Sequence, residues 1–446
     1  MKAFISYSSD KAFSGVVDNM PGDKSISHRS LMLSALAEGE TVIHGLLTGE
    51  DVKMTAAALR AMSAEIIEPE DISAPWRVVG RGIEGLSSPH HALYMGNSGT
   101  SARLLMGMMG RYDLSAQITG DSSLQKRPMG RVMKPLMAMG VGFEMTGGGE
   151  HLPLIVKGRA VLSPLDYTLP VASAQVKSAL LLAALGAAGQ TIIKEPIATR
   201  DHTENMLKAF GVVLDIQPFQ AGSEIKLEGG QSLRSPSVIH VPKDPSSAAF
   251  LIAAALLRDS SDLILSSICI NKARIGFIQT VIEMGAQIEF LNKRVEAGEE
   301  IADVRIKSSA LKGVHVPAVR AASMIDEYPI LTVLAMTADG TTRMDGLAEL
   351  KVKESNRFMK CVELAMLENI PVRYGDDWLE LEGRGSQLQG GFTVKTELDH
   401  RIAMSALVMG LISKAPVMID DGQAIETSFP DFVPLMNRLG AEILAL

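Results

Sequence analysis

A polar loop running into an apolar, small-residue helix recurs along this 446-residue chain, and that repetition limits the available folds more than any other feature. The starts are Ser27-His28-Arg29, Thr100-Ser101-Ala102-Arg103, Ala174-Gln175-Val176-Lys177, Ser246-Ser247-Ala248-Ala249, Asp326-Glu327-Tyr328-Pro329 and His400-Arg401-Ile402-Ala403. They lie about 75 residues apart, too far for a solenoid repeat and suited to a small βα module. Most copies continue through a glycine turn into a β-branched strand, as at residues 40–45 and 189–194. A second, more charged helix follows, for example over 201–210 or 353–366, and then a turn and strand at 139–143, 284–288 or 439–443. Six such units form two groups of three, parted at the turn-rich Val241-Pro242-Lys243-Asp244-Pro245. The recurring first helices are apolar nearly all round, so each is expected inside its domain with sheets packed outside. The length is too great for one core and agrees with two domains.

Composition narrows the function. A formal net charge of −8, with no basic run, argues against nucleic acid as partner. The longest apolar runs are too short to span a membrane, and the first residues lack the apolar core of a signal peptide, so a cytoplasmic protein is expected. Cys269 and Cys361 lie far apart, with neither disulfide nor metal-ligand spacing, and no metal or other cofactor is expected.

The loops that open the apolar helices carry the chemistry. Met20-Pro21-Gly22-Asp23-Lys24-Ser25-Ile26-Ser27-His28-Arg29-Ser30 joins a Pro-Gly turn to Lys, Arg and hydroxyls at a helix start, which favours a phosphate or carboxylate. It lacks the glycine spacing of a P-loop. Other loops add Asn97, Ser98, Gly99, Thr100 and Arg103, then Lys126 and Arg127, Ser173 and Gln175, Arg200-Asp201-His202, Lys353-Glu354-Ser355-Asn356-Arg357, and Arg401. Three modules packed about a pseudo-threefold axis would bring such loops to one face. So many cations imply a ligand with at least two anionic groups. Asp326, Glu327 and Glu354 suit either helix capping or acid–base work in a cation-rich cleft. His28, His202 and His400 stand where a histidine either acts as acid and base or caps and packs; none has metal-ligand spacing.

Pro21-Gly22-Asp23-Lys24-Ser25-Ile26-Ser27-His28-Arg29 closely resembles the N-terminal signature of the EPSP synthase (3-phosphoshikimate 1-carboxyvinyltransferase) family. Further matches run in order through the chain: Gly96-Asn97-Ser98-Gly99-Thr100, the 120–129 stretch, Ser173-Ala174-Gln175-Val176-Lys177-Ser178, Arg200-Asp201-His202-Thr203-Glu204, Asp326-Glu327-Tyr328-Pro329, Lys353-Glu354-Ser355-Asn356-Arg357 and Asp399-His400-Arg401-Ile402-Ala403-Met404. The resemblance implies a two-domain inside-out α/β barrel, each domain built of three βαβαββ-type repeats around a pseudo-threefold axis. It implies one domain over 21–242 and the other over 1–20 with 243–446, hinged near 20 and 242. The implied reaction moves the enolpyruvyl group of phosphoenolpyruvate to the 5-hydroxyl of shikimate 3-phosphate, on the route to chorismate and aromatic amino acids, in a monomer with small anionic substrates.

Residue by residue, Asp326 matches the family's base, Glu354 its proton donor and acceptor, and Lys24 the lysine that touches both substrates. The implied shikimate 3-phosphate contacts are Lys24, Ser25, Arg29, Ser173, Ala174, Gln175, Arg200, Asp326 and Lys353. Those for phosphoenolpyruvate are Lys24, Gly99, Arg127, Gln175, Arg357 and Arg401. Thr427 stands where many members have a substrate lysine, and Glu349 where some have an asparagine, so neither is assigned. The 120–129 stretch and Arg200-Asp201-His202 resemble the second sequence class, often linked to glyphosate tolerance, yet Gly99 leaves the inhibitor room. Two alternatives remain on the same fold. A UDP-N-acetylglucosamine enolpyruvyl transferase pairs its N-terminal Lys with Asn and uses a loop Cys, whereas Ser25 follows Lys24 here. A non-catalytic anion-binding protein would not need both Asp326 and Glu354.

Overall fold

The structure is a computed structural model that describes residues 2–71, 74–82, 85–296, 298–385 and 387–446. Contacts divide the chain into two units. The N-terminal unit is Gly22–Val241 with Val295–Glu299; the C-terminal unit is Met1–Pro21, Pro242–Arg294 and Glu300–Leu446. Side chains join Val295–Glu299 to the rest of the N-terminal unit. The wholly buried Glu299 carboxylate meets His202 Nδ1 at 2.8 Å and accepts from Asn205 Nδ2 at 3.3 Å.

The apolar helices are Lys24–Leu36, Gly99–Gly110 and Ala174–Ala184 in the N-terminal unit. Their counterparts are Pro245–Leu257, Tyr328–Thr337 and His400–Gly410 in the C-terminal unit. Their loops are polar for a local reason: a helix start leaves backbone N–H groups without intrahelical acceptors. The side chains of Asp23, Ser98, Ser173, Asp244 and Asp399 each accept such a hydrogen bond, from Ile26, Ser101, Val176, Ser246 and Arg401 respectively. Tyr328–Thr337 has Pro329 in its first turn, where the missing N–H costs nothing. The caps also move the boundaries. Asp23 starts the first helix at Lys24 rather than near Ser27. The charged helix expected from 353 begins only at Arg357, because the Asn356 side chain caps it there, and Lys353 and Glu354 stay in the preceding loop.

The strand after each apolar helix lies inside a four-stranded sheet, and the described residues form six such sheets of one pattern. A short edge strand pairs parallel with that strand, and two antiparallel strands complete the sheet. In one example Asp166–Thr168 pairs with Gln190–Glu195, which pairs with Gly222–Glu228 and then Leu214–Phe219. Ile193 opposes Ile225 there, and both are fully buried, so one face of the sheet covers the helices. Each unit is thus an inside-out α/β barrel, with helices as core and sheets as wall. Both close with distant segments: Val238–His240 pairs with Glu38–His44, and Phe4–Tyr7 inserts between Val417–Ile419 and Glu442–Ala445. Among the described residues no helix is long and apolar enough to cross a membrane.

Helices buried on all sides must approach closely. A Cβ on Gly107 would lie 2.0 Å from the Ala179 carbonyl oxygen, so only glycine permits this crossing of Gly99–Gly110 and Ala174–Ala184. Gly107→Ala should destabilise the protein by about 1–3 kcal/mol, the usual cost of overpacking a core. A shift of less than about 0.5 kcal/mol in denaturant unfolding, the ordinary range for surface changes, would show that the helices separate freely.

Candidate active site

In the N-terminal unit the capped helix starts gather two groups of expected binding residues. Lys24 opens the first helix, and its Nζ sits 2.6 Å from Asp51 Oδ2. Asp51 lies in the first turn of the helix Glu50–Ala61, where a carboxylate also complements the helix dipole. Arg29 is buried one turn further on. Its Nε donates to Thr203 Oγ1 at 2.7 Å, its Nη2 to Ser178 Oγ at 2.7 Å, and its Nη1 to the Ser25 carbonyl at 2.8 Å. Burial, opposed by Glu204 and Asp23 but aided by Arg200, pulls the Arg29 pKa down to about 10. An anion placed between Arg29 and Arg200 would relieve that penalty.

The second group surrounds Gly99. Ser98 caps its helix, and Asn97 joins Asp121 through Nδ2 at 2.9 Å and Arg127 through Oδ1. A Cβ on Gly99 would stand 3.0 Å from Arg127 Nη1 and 2.7 Å from Arg103 Nη1. Arg103 donates to Gln175 Oε1 at 2.8 Å, and Gln175 Nε2 donates to Thr100 Oγ1 at 3.1 Å. Gly99, Arg127 and Gln175, far apart in sequence, therefore belong to one cluster. Ser173 and Ala174 start the helix that carries Gln175. Lys126 is exposed.

The C-terminal unit is organised by one arginine. Arg357 is almost wholly buried, and its three nitrogens reach three carboxylates: Nε to Asp399 Oδ2 at 2.8 Å, Nη1 to Asp326 Oδ1 at 3.0 Å, and Nη2 to Glu354 Oε2 at 2.5 Å. Burial opposes its charge, but the carboxylates, Asp399 foremost, win and raise its pKa further. Lys353 Nζ lies 3.9 Å from Asp326, and Arg401 Nη1 lies 3.6 Å from the buried Glu327. The fully buried Asp399 also accepts from Ser355 Oγ at 3.0 Å and from the Arg401 backbone N–H at 2.9 Å. Asp326, Lys353, Glu354, Arg357 and Arg401 are thereby brought together.

A family model for EPSP synthase (3-phosphoshikimate 1-carboxyvinyltransferase) matches residues 8–436. The chain belongs to the EPSP synthase family. A 3-phosphoshikimate 1-carboxyvinyltransferase of Granulibacter bethesdensis is 52% identical over 426 residues, covering 95% of this chain and 93% of that one. One from Paramagnetospirillum magneticum is also 52% identical, over 425 residues, with 95% and 94% covered. An EPSP synthase structure from Acinetobacter baumannii superposes with a TM-score of 0.87 at 42% identity, covering all of both chains.

Within this family member, Asp51 and Asp399 pair with Lys24 and Arg357 although the sequence assigns neither a role, while Arg103, one of the loop cations read from the sequence, joins the Gly99 cluster through Gln175. Asp399 does carry a signal, since it stands directly before an apolar helix where caps occur. The three candidate histidines are engaged elsewhere or packed. His202 faces Glu299, His400 is buried in the first turn of its helix, and His28 Nδ1 meets Thr55 Oγ1 at 2.7 Å. Thr427 donates to the Ala424 carbonyl at 2.7 Å.

Burial first, then Lys24 and Arg29, push the His28 pKa well below 6.5, against the weaker pull of Asp23. Folded His28 therefore stays neutral while the unfolded chain takes up a proton as pH drops below 6.5. Its effect is a stability that is full above that value and declines as pH falls, by up to about 1.4 kcal/mol per pH unit. Denaturant unfolding of wild type and His28→Gln between pH 7 and 5 should give a shallower slope in the variant. Equal slopes would mean that buried His28 carries a proton.

Proposed function

We propose that this enzyme transfers the enolpyruvyl group of phosphoenolpyruvate to the 5-hydroxyl of shikimate 3-phosphate, releasing phosphate. The observation that carries the reading is Arg357, which grips Asp326 and Glu354 at the same time. An addition followed by an elimination needs a positioned base and a positioned acid, and Arg357 holds the two candidate carboxylates side by side. The hydroxyl oxygen bonds to the enol carbon as it loses its proton to Asp326, while Glu354 protonates the methylene carbon. In the second step phosphate leaves with the C–O bonding pair and carries away the proton that Asp326 had taken, while Glu354 takes back a proton from the new methyl group. Lys24 touches both substrates where they meet.

The binding roles follow the same assignment. Lys24, Ser25, Arg29, Ser173, Ala174, Gln175, Arg200, Asp326 and Lys353 hold shikimate 3-phosphate. Lys24, Gly99, Arg127, Gln175, Arg357 and Arg401 hold phosphoenolpyruvate. The cluster of Gly99, Arg127 and Gln175 supports the second group, and the Arg29 bond to Thr203, just past Arg200, supports the first. A guanidinium has five N–H bonds, so three carboxylate contacts leave Arg357 donors for an anion. Cys269 and Cys361 are both buried and neither is in a disulfide, which supports a reducing cytoplasm as its compartment.

Purified protein mixed with shikimate 3-phosphate and phosphoenolpyruvate should release inorganic phosphate. Turnover only when UDP-N-acetylglucosamine replaces shikimate 3-phosphate would overturn the assignment. Glu354→Gln should lower kcat by roughly 100-fold or more with both KM values changed only a few-fold, as expected for loss of an acid–base group. Equal losses in kcat and binding would remove Glu354 from the proton transfers.

A further inference from the structure

Among the described residues, Lys177 is the most deeply buried cation that the reaction does not use. Its side chain is 0% exposed, and its Nζ lies 3.0 Å from Glu195 Oε1 and 2.7 Å from Glu204 Oε1. Glu195 ends the strand Gln190–Glu195, and Glu204 sits in the first turn of the helix His202–Ala209. The two carboxylates bracket the loop that carries Arg200. Two more bonds hold its flanks: Thr199 Oγ1 donates to Glu195 Oε2 at 2.8 Å, and Thr203 Oγ1 donates to Ser178 Oγ at 2.7 Å. Thr203 and Ser178 are also the partners of Arg29 Nε and Nη2. The bonds that tie Arg29 to the Arg200 loop therefore lead back to Lys177 and its neighbour Ser178.

We propose that Lys177 is a positioning residue for shikimate 3-phosphate, clamping both ends of the Arg200 loop without touching the substrate; this rests on the assignment of Arg29 and Arg200 to that ligand. Two carboxylates facing one ammonium hold Lys177 charged, while burial pushes the Glu204 carboxyl up. Removing the ammonium leaves two carboxylates facing each other in a dry interior, and the loop must shift or take up a proton. The partners of Lys177 differ from those of the Gly99, Arg127 and Gln175 cluster, so phosphoenolpyruvate binding should be spared.

The test is steady-state kinetics of wild type, Arg200→Ala, Lys177→Met and Thr199→Val, each checked for folding by circular dichroism. Arg200→Ala should raise the shikimate 3-phosphate KM about tenfold or more, and Lys177→Met should do nearly the same with kcat and the phosphoenolpyruvate KM within about twofold. Thr199→Val, an isosteric change that removes only one bond to Glu195, should give a smaller rise in the same constant and decides the matter if Lys177→Met does not fold. If Arg200→Ala raises that KM while the folded Lys177 and Thr199 variants leave it unchanged, or raise both KM values equally, the positioning role is overturned. An Arg200→Ala variant with unchanged shikimate 3-phosphate KM overturns instead the assignment on which the proposal rests.

Discussion

A helix buried on every side has only its first and last turns with which to do polar chemistry. That constraint governs this protein. The apolar helices offer their lengths to one another and to the covering sheets, so their N–H-rich starts are where polar side chains are needed. Capping satisfies the backbone first, through Asp23, Ser98, Ser173, Asp244 and Asp399. The residues next to those caps are Lys24, Gly99, Ala174, Pro245 and His400, and much of the candidate site lies within a turn or so of one of them. Function has been placed where the fold already required polarity.

The two units answer the same constraint with different arrangements of charge. In the N-terminal unit Arg29, Arg200, Arg103 and Arg127 stand around helix starts, and Arg29 is held buried at an electrostatic cost. In the C-terminal unit one arginine faces three carboxylates, with Lys353 beside Asp326 and Arg401 beside Glu327. Cations suit recognition of phosphate and carboxylate, and carboxylates suit proton transfer. Each arrangement needs the rest of the unit to keep it from relaxing, because a buried charge left without its partner costs several kcal/mol, about 3–5 when a buried pair is broken.

Much of the fold was legible because helix periodicity and glycine turns repeat with the module. The apolar helices, the strands that follow them and their burial could be read from residues such as 179–188 or 189–194 alone. Boundaries were less legible, since they depend on caps: Asp23 and Asn356 each moved a helix start by a few residues. The insertion of Phe4–Tyr7 into the sheet of the last module was beyond local pattern, because four residues with alternating burial fit any half-buried strand. In the site, the cations and the carboxylates Asp326 and Glu354 were legible in sequence, and the partners Asp51 and Asp399 were not. Asp51 and Asp399 are ordinary helix-start acids in sequence, and only the packing of distant segments turns them into partners of Lys24 and Arg357.

Arg357 shows why such partners matter for chemistry. On the proposed assignment its guanidinium is shared by the base Asp326 and the acid Glu354, with Asp399 fixing the third edge. Protonation of either catalytic carboxylate weakens its ion pair, and the cation is then attracted more strongly by the one still ionised. The two carboxylates therefore share one cation, and a change at one is felt by the other through a single planar group. A lysine in this place would offer one point charge and lose the fixed angles, so the relative positions of base and acid would depend on a flexible stem. On the proposed assignment, the rigid guanidinium, with Asp399 buried behind it, holds the acceptor for the hydroxyl proton and the donor to the methylene carbon in one geometry.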